Sequence, residues 1–233
     1  MDFTRSTFLT GVSALVVAPG AAGAAAVPPS TVDPSAPPRG TPKQALTFLH
    51  NGNTRFIGGG SRARPRPSAA TPQRPWAALL TCADTRVAPE IVFDSDFGDL
   101  FVCRTAGNIA DNDVTGSIEY AVAVFHAPLV VVVAHSGCGA CDAAIKTFDA
   151  VGDLPAANIL SVVRTIMPAV SRIPREDPDR LRHVAEKNAQ LTAAALAAGP
   201  ILGPAIASGK LLVTWAYHEL QNGKVTIPFT TAG

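Results

Sequence analysis

The chain has 233 residues, of which 47% are hydrophobic and 16% charged, and its formal net charge is +1. That balance describes a globular fold with one sizeable core and excludes a charge field that would draw nucleic acid or a membrane surface. Aromatic residues make up only 6%, too few to stack single-stranded nucleic acid. The four cysteines, Cys82, Cys103, Cys138 and Cys141, are too few for a disulfide scaffold in a chain this long.

Residues 1–27 read as an export signal. Arg5 precedes an apolar stretch over residues 8–17, and small residues follow over 19–27. The apolar stretch is too short for a permanent membrane helix, so no stable span is expected. Thr4-Arg5-Ser6-Thr7-Phe8-Leu9 resembles a twin-arginine signal with Ser6 in place of the second arginine, which leaves the Tat-like and Sec routes both open. The expected location is periplasmic or secreted; the alternative is a disordered alanine-rich extension of a cytoplasmic protein. Residues 28–40 carry Pro28, Pro29, Pro34, Pro37 and Pro38 and form a stiff linker. The folded domain, residues 41–233, opens at Thr41-Pro42, a capping residue followed by a proline suited to the first helical turn. Ala45, Leu46, Leu49 and Phe56 recur there at helical spacing, and Gly58-Gly59-Gly60 ends the helix. A second proline-rich loop runs over residues 65–75.

Short apolar runs then alternate with helical stretches. Residues 76–81 form a strand that ends at Cys82, and residues 100–103 another. Residues 117–125 read as a helix closed by Pro128, and the uncharged run 129–134 as the clearest buried strand. Helices are expected over 141–150, 157–170 and 179–198, and strands over 210–216 and 224–227, the last behind the turn Asn222-Gly223. Wholly apolar strands alternating with helices predict an α/β fold with a mainly parallel sheet covered on both faces.

Two of these strands end in ligand-type residues. Cys82-Ala83-Asp84-Thr85-Arg86 follows the first and His135-Ser136-Gly137-Cys138 the buried one. Ligand sites gather at the carboxyl ends of parallel strands, so the two motifs are expected to meet. Cys82, His135 and Cys138 form a set of two thiolates and an imidazole, which suits zinc with a fourth position left open for catalysis. Cys141 offers a further sulfur, but it lies a helical turn beyond Cys138 and is not expected to be a ligand. A free Asp84 beside the metal could occupy the open position; a bidentate contact with Arg86 would restrain it. Held so, it could accept a hydrogen bond from a water that the metal activates. Taken singly, each residue has a plainer reading: a buried cysteine, a core histidine, a loop salt bridge. Two compact motifs at two strand ends are harder to read that way.

The pattern Cys-x-Asp-x-Arg followed by His-x-x-Cys resembles the β-class carbonic anhydrase family. Arg86-Val87-Ala88-Pro89-Glu90, Arg104-Thr105-Ala106-Gly107-Asn108 and Gly116-Ser117-Ile118-Glu119-Tyr120-Ala121-Val122 extend the likeness across nearly all of the domain. It implies a four-stranded parallel sheet core with an added edge strand, one Zn2+ per subunit, a homodimer or homotetramer, and reversible hydration of carbon dioxide to bicarbonate and a proton. Catalytic roles then fall to Asp84 and Arg86, and substrate-facing roles to Gln73 and Gly139. Leu79 stands where some bacterial relatives carry the tryptophan of a bicarbonate-regulated type, so that regulation is not expected. Cys103 and Cys141 read as buried thiols, or as a disulfide in an exported protein. His218 reads as a packed core histidine or a proton shuttle. Two other functions remain on the same fold: a non-catalytic zinc-stabilised scaffold, and hydrolysis of a related small molecule such as carbon disulfide.

Overall fold

The structure is a computed structural model that describes residues 39–64, 66–67 and 73–228. The expected export signal and most of the linker lie outside the described residues. Helix α1 (Pro42–Ile57) begins where the sequence places it, because Thr41 and Gln44 form a reciprocal capping box and Pro42 occupies the first turn. Gly58 caps its end.

Five strands build one sheet: β1 (Ala77–Cys82), β2 (Leu100–Thr105), β3 (Leu129–His135), β4 (Leu212–His218) and β5 (Val225–Thr226). Their order is β2-β1-β3-β4-β5, with β5 antiparallel to β4 and the other neighbours parallel. This is the expected four-stranded parallel core with an edge strand. Every residue of β1 and β3 is buried, which explains why both read as uninterrupted apolar runs rather than alternating ones.

Alternation along the strands divides the core between two faces. Ala78, Leu80, Val130 and Val132 pack with Ile118, Ile166, Val184 and Leu196 from helices on one side. Those helices are α3 (Asn112–Ala123), α5 (Ala157–Val170) and α6 (Arg180–Ala197), joined there by α4 (Gly139–Phe148) and α7 (Leu202–Ala207). Ala77, Leu79, Val131 and Val133 face the other way, against Ala45 and Leu49 of α1 and against Val92 and Phe93 around α2 (Pro89–Val92).

Several boundaries differ from expectation. α3 starts at Asn112 rather than Ser117, because the Asp111 side chain accepts a hydrogen bond from Val114 N and caps a polar first turn without apolar periodicity. α4 starts at Gly139, directly after the second motif, and β4 runs two residues later than expected, to His218. The short helices α2 and α7 were not expected; both are too brief to show a periodic pattern.

Candidate metal centre

Register brings the two motifs together. Thr81 on β1 pairs with Val133 on β3, so Cys82 and His135 leave the sheet at the same edge. Gly137 (φ 65°) turns the chain after β3 in a left-handed conformation that favours glycine, and Cys138 becomes the N-cap of α4. The Ser136 backbone ties this turn to the neighbouring strand by donating to His218 O (3.0 Å), and its hydroxyl accepts from Leu220 N (2.9 Å). The two cysteine sulfurs and a ring nitrogen of His135 then lie within 4.8 Å of one another, all buried.

The chemistry of this donor set fits a metal ion. His135 Nδ1 lies 2.9 Å from the Ser136 carbonyl, which can only accept, so that nitrogen carries the proton. The lone pair is thereby left on Nε2, which is buried and finds no well-formed hydrogen bond. Both thiols resist ionisation: the hydrogen bond with Cys138, then burial, pushes the Cys82 thiol up to about 12. Cys138 is pushed up to about 11, first by its hydrogen bond with Cys141. A bound cation is what such a pair needs in order to become thiolates. Cys141 is fully buried behind Cys138 and is not part of the converging group.

Asp84 and Arg86 form the expected fork. Arg86 Nε donates to Oδ1 (2.9 Å) and Nη2 to Oδ2 (2.6 Å), and the Arg86 backbone N–H adds a third bond to Oδ1 (2.9 Å). These hydrogen bonds hold the Asp84 carboxyl well below the usual carboxylate range. Oδ2 takes only one of the three donors, so it keeps a lone pair for another.

Other residues hold the site and carry no ligand-type signature in the sequence. Arg104 donates to Cys82 O (3.1 Å) and Asp84 O (2.6 Å), fixing the backbone of the first motif. Gly107 N–H points at Cys82 Sγ (3.3 Å), and buried Asn188 on α6 holds the Gly107 carbonyl (2.8 Å). The Arg-Thr-Ala-Gly-Asn run pointed to this region, whereas nothing near Asn188 did. Gly107 has φ 69°, and a Cβ there would meet Ile166 Cδ1 at 2.6 Å, so close packing as well as backbone conformation requires glycine.

The remaining expected positions are placed as follows. Gly139 opens α4 beside Cys138, with free space where a side chain would be. Gln73 is exposed on the segment before β1, and no hydrogen bond ties it to the cysteines, His135, Asp84 or Arg86. Asn108 is buried with φ 46° in the turn after β2. Leu79 is a core residue under α1. His218 is buried with both ring nitrogens unpartnered, and burial, then the nearby His135, lowers its pKa; it packs as a core histidine. Cys103 is half-buried, and all four cysteines are free thiols.

A buried Cys₂His set at the edge of a parallel sheet, with a restrained carboxylate beside it, is the arrangement of a candidate metal centre in an α/β enzyme. The carbonic anhydrase family model matches residues 77–225. Carbonic anhydrase 2 of Mycobacterium tuberculosis is 38% identical over 200 residues, covering 82% of this chain and 94% of that protein. The Mycolicibacterium smegmatis carbonic anhydrase is 36% identical over 200 residues, covering 82% and 95%. Among solved structures, the Coccomyxa β-carbonic anhydrase in complex with acetazolamide superposes with a TM-score of 0.61 at 22% identity, over 79% of this chain and 82% of that one. A tetrameric β-carbonic anhydrase of Sordaria macrospora gives 0.58 at 21% identity, over 79% and 91%. The chain belongs to the carbonic anhydrase family and has the fold of the β-carbonic anhydrases. It is an enzyme of the reversible hydration of carbon dioxide, in a family of zinc enzymes.

Proposed function

We propose that Cys82, His135 and Cys138 hold one Zn2+ per subunit and that Asp84, restrained by Arg86, orients the water that adds to carbon dioxide. The observation that carries this is the buried convergence of a ring nitrogen of His135 and two cysteine sulfurs within 4.8 Å of one another. Zinc, when bound, supplies a Lewis acid that makes water nucleophilic near neutral pH. The chain's own residues do the rest. Gly107 N–H steadies the Cys82 sulfur, and Ser136 O fixes the ring of His135. The Arg86 fork keeps Asp84 from swinging onto the metal and keeps it ionised, with Oδ2 able to accept a hydrogen bond from the reacting water. A carboxylate held so far below its usual range is a weak base, so Asp84 orients the water, and the proton passes on to buffer.

Gly139 lets substrate approach the backbone beside Cys138, and Gln73 faces the substrate from the segment before β1. The subunit assembles as a homodimer or homotetramer, a reading supported by the tetrameric β-carbonic anhydrases of Sordaria macrospora, whose fold it shares. The protein is exported by the signal in residues 1–27; among the described residues no helix is long and apolar enough to cross a membrane.

A zinc-edge spectrum with a metal count tests the ligand set: two sulfurs at about 2.3 Å, one nitrogen and one oxygen are expected. Stopped-flow hydration of carbon dioxide, with Asp84→Asn and Arg86→Ala for comparison, tests the chemistry. Protein without tightly held zinc, or wild-type activity no higher than those variants, defeats this assignment. Intact residues 1–27 on protein recovered from the cytoplasm of its native cell would defeat the export reading, and a monomeric mass by light scattering the assembly.

A further inference from the structure

The metal set uses two sulfurs, yet a third lies against it. Cys138 is the N-cap of α4 and Cys141 sits in its first turn, giving Cys138-Gly139-Ala140-Cys141 at a helix N-terminus. Their side chains are in hydrogen-bonding contact. Both are buried, at 1% and 0% exposure. Cysteines two residues apart at the start of a helix can close a disulfide within that one turn. Nothing in the hydration reaction uses Cys141.

We infer that Cys138 and Cys141 form an oxidation site, at which a peroxide converts the pair to a disulfide and releases the metal. The inference rests on Cys138 being a zinc ligand. The oxidant is hydrogen peroxide, a small neutral molecule comparable in size to the carbon dioxide and bicarbonate that the hydration reaction itself admits. The Cys138 thiolate attacks one peroxide oxygen; an S–O bond forms, the O–O bond breaks and hydroxide leaves. The Cys141 sulfur then attacks the oxidised Cys138 sulfur; the S–S bond forms, the S–O bond breaks and water leaves with the Cys141 proton. Two thiol sulfurs lose one electron each, the peroxide gains two, and zinc leaves with its charge unchanged. The disulfide protects Cys138 from passing to the irreversible higher acids.

Cys141 is the partner because it shares a rigid helical turn with Cys138 and lies outside the converging ligand group. Cys82 also touches Cys138, but it is a ligand itself and its backbone is pinned by Arg104. Cys103 is hydrogen-bonded towards Ser117 instead.

The test uses the zinc-loaded full chain, titrated with hydrogen peroxide, alkylated without reduction and digested with trypsin. Every Lys and Arg between the cysteines, and the prolines after Arg64, Arg66 and Arg74, places Cys82 in peptide 63–86, Cys103 in 87–104 and the pair in 105–146. The expected product is peptide 105–146, unalkylated and lighter by two hydrogens, appearing in step with zinc captured by a chromogenic chelator. Dithiothreitol with added zinc then restores the metal content. In Cys141→Ala the lighter peptide is absent, and zinc lost to peroxide is not regained with thiol. The inference is overturned if peptide 105–146 keeps both thiols alkylatable while zinc is lost, if Cys82 or Cys103 cross-links to it instead, or if Cys141→Ala recovers zinc as the wild type does. If Cys141→Ala fails to fold, the wild-type peptide map decides alone. A purified chain that never held zinc defeats the ligand assignment, and its peptide map still answers for the disulfide.

Discussion

Asp84 and Asp94 are both carboxylates kept ionised by arginine, and they serve different ends. Asp94 has a fully covered side chain that accepts from Arg55 Nε (2.6 Å), Arg62 N (2.9 Å), Arg62 Nε (3.2 Å) and Arg64 Nη2 (2.9 Å). Burial pushes its pKa up, but hydrogen bonds from Arg55 and Arg62 outweigh this and hold it at about 2. Its cover is its own arginines, which remain 22–43% exposed, rather than the deep core. Asp84 has one arginine, a side chain still 16% exposed, and an oxygen with room for another donor. Saturating a carboxylate with donors makes a structural clamp; restraining it with one fork and leaving a lone pair towards an open edge makes a functional group.

Four substitutions and one titration would break or sharpen that contrast. The largest effect is expected from Cys138→Ala, which removes one of the three proposed ligands: zinc content is lost and hydration falls by about a thousandfold or more, the scale of a lost Lewis acid. Metal analysis with stopped flow checks it; full zinc occupancy would contradict it. Asp84→Asn keeps the shape but not the charge, and kcat/KM is expected to fall about a hundredfold. Its stability should change by less than about 1 kcal/mol, as for an exposed ion pair. Asp94→Ala should do the reverse. It takes the carboxylate from three guanidinium groups, which keep backbone carbonyls as acceptors, and costs about 2–3 kcal/mol in urea unfolding, less than a deep pair because the arginines reach water, while activity per folded molecule stays within about twofold.

The acid titration follows from the sign of the Asp94 shift. Its folded pKa of about 2 lies below the ordinary unfolded value near 3.9, so its stabilisation is complete above about pH 5 and is lost as pH falls from about 4 through 2. The stability gap between wild type and Asp94→Ala should therefore be constant above about pH 5 and shrink below about pH 4. A gap that ignores pH would remove Asp94 as the acid-sensitive clamp. Gln73→Ala is expected to have the smallest effect, a fall of about threefold in kcat/KM through one weakened substrate contact; no change at all would strike Gln73 from the substrate contacts.

Much of this molecule was readable in the chain. Thr41-Pro42 announces a capped helix, and α1 starts there. The uncharged run around Val130 to Val133 announces a strand buried on both faces, and β3 is one. The convergence of Cys82, His135 and Cys138 was legible because ligand-type chemistry is restricted to a few residue types, here placed at strand ends. α2 and α7 were not, because a helix of one or two turns has too few residues to show a period. Asn188 was not, because an asparagine inside a long helix looks like any solvated position until its partner is known.

By itself, then, the order of residues determined most of the strand and helix pattern, the parallel sheet and the identities of the cysteines, histidine and carboxylate that converge at its edge, since those depend on local spacing and on side-chain chemistry. Tertiary structure alone decided which carboxylate is saturated and which stays open, that Gly107 N–H meets the Cys82 sulfur, and that Cys141 touches Cys138. The physical reason is that hydrogen-bond saturation and burial are set by neighbours brought in from distant parts of the chain.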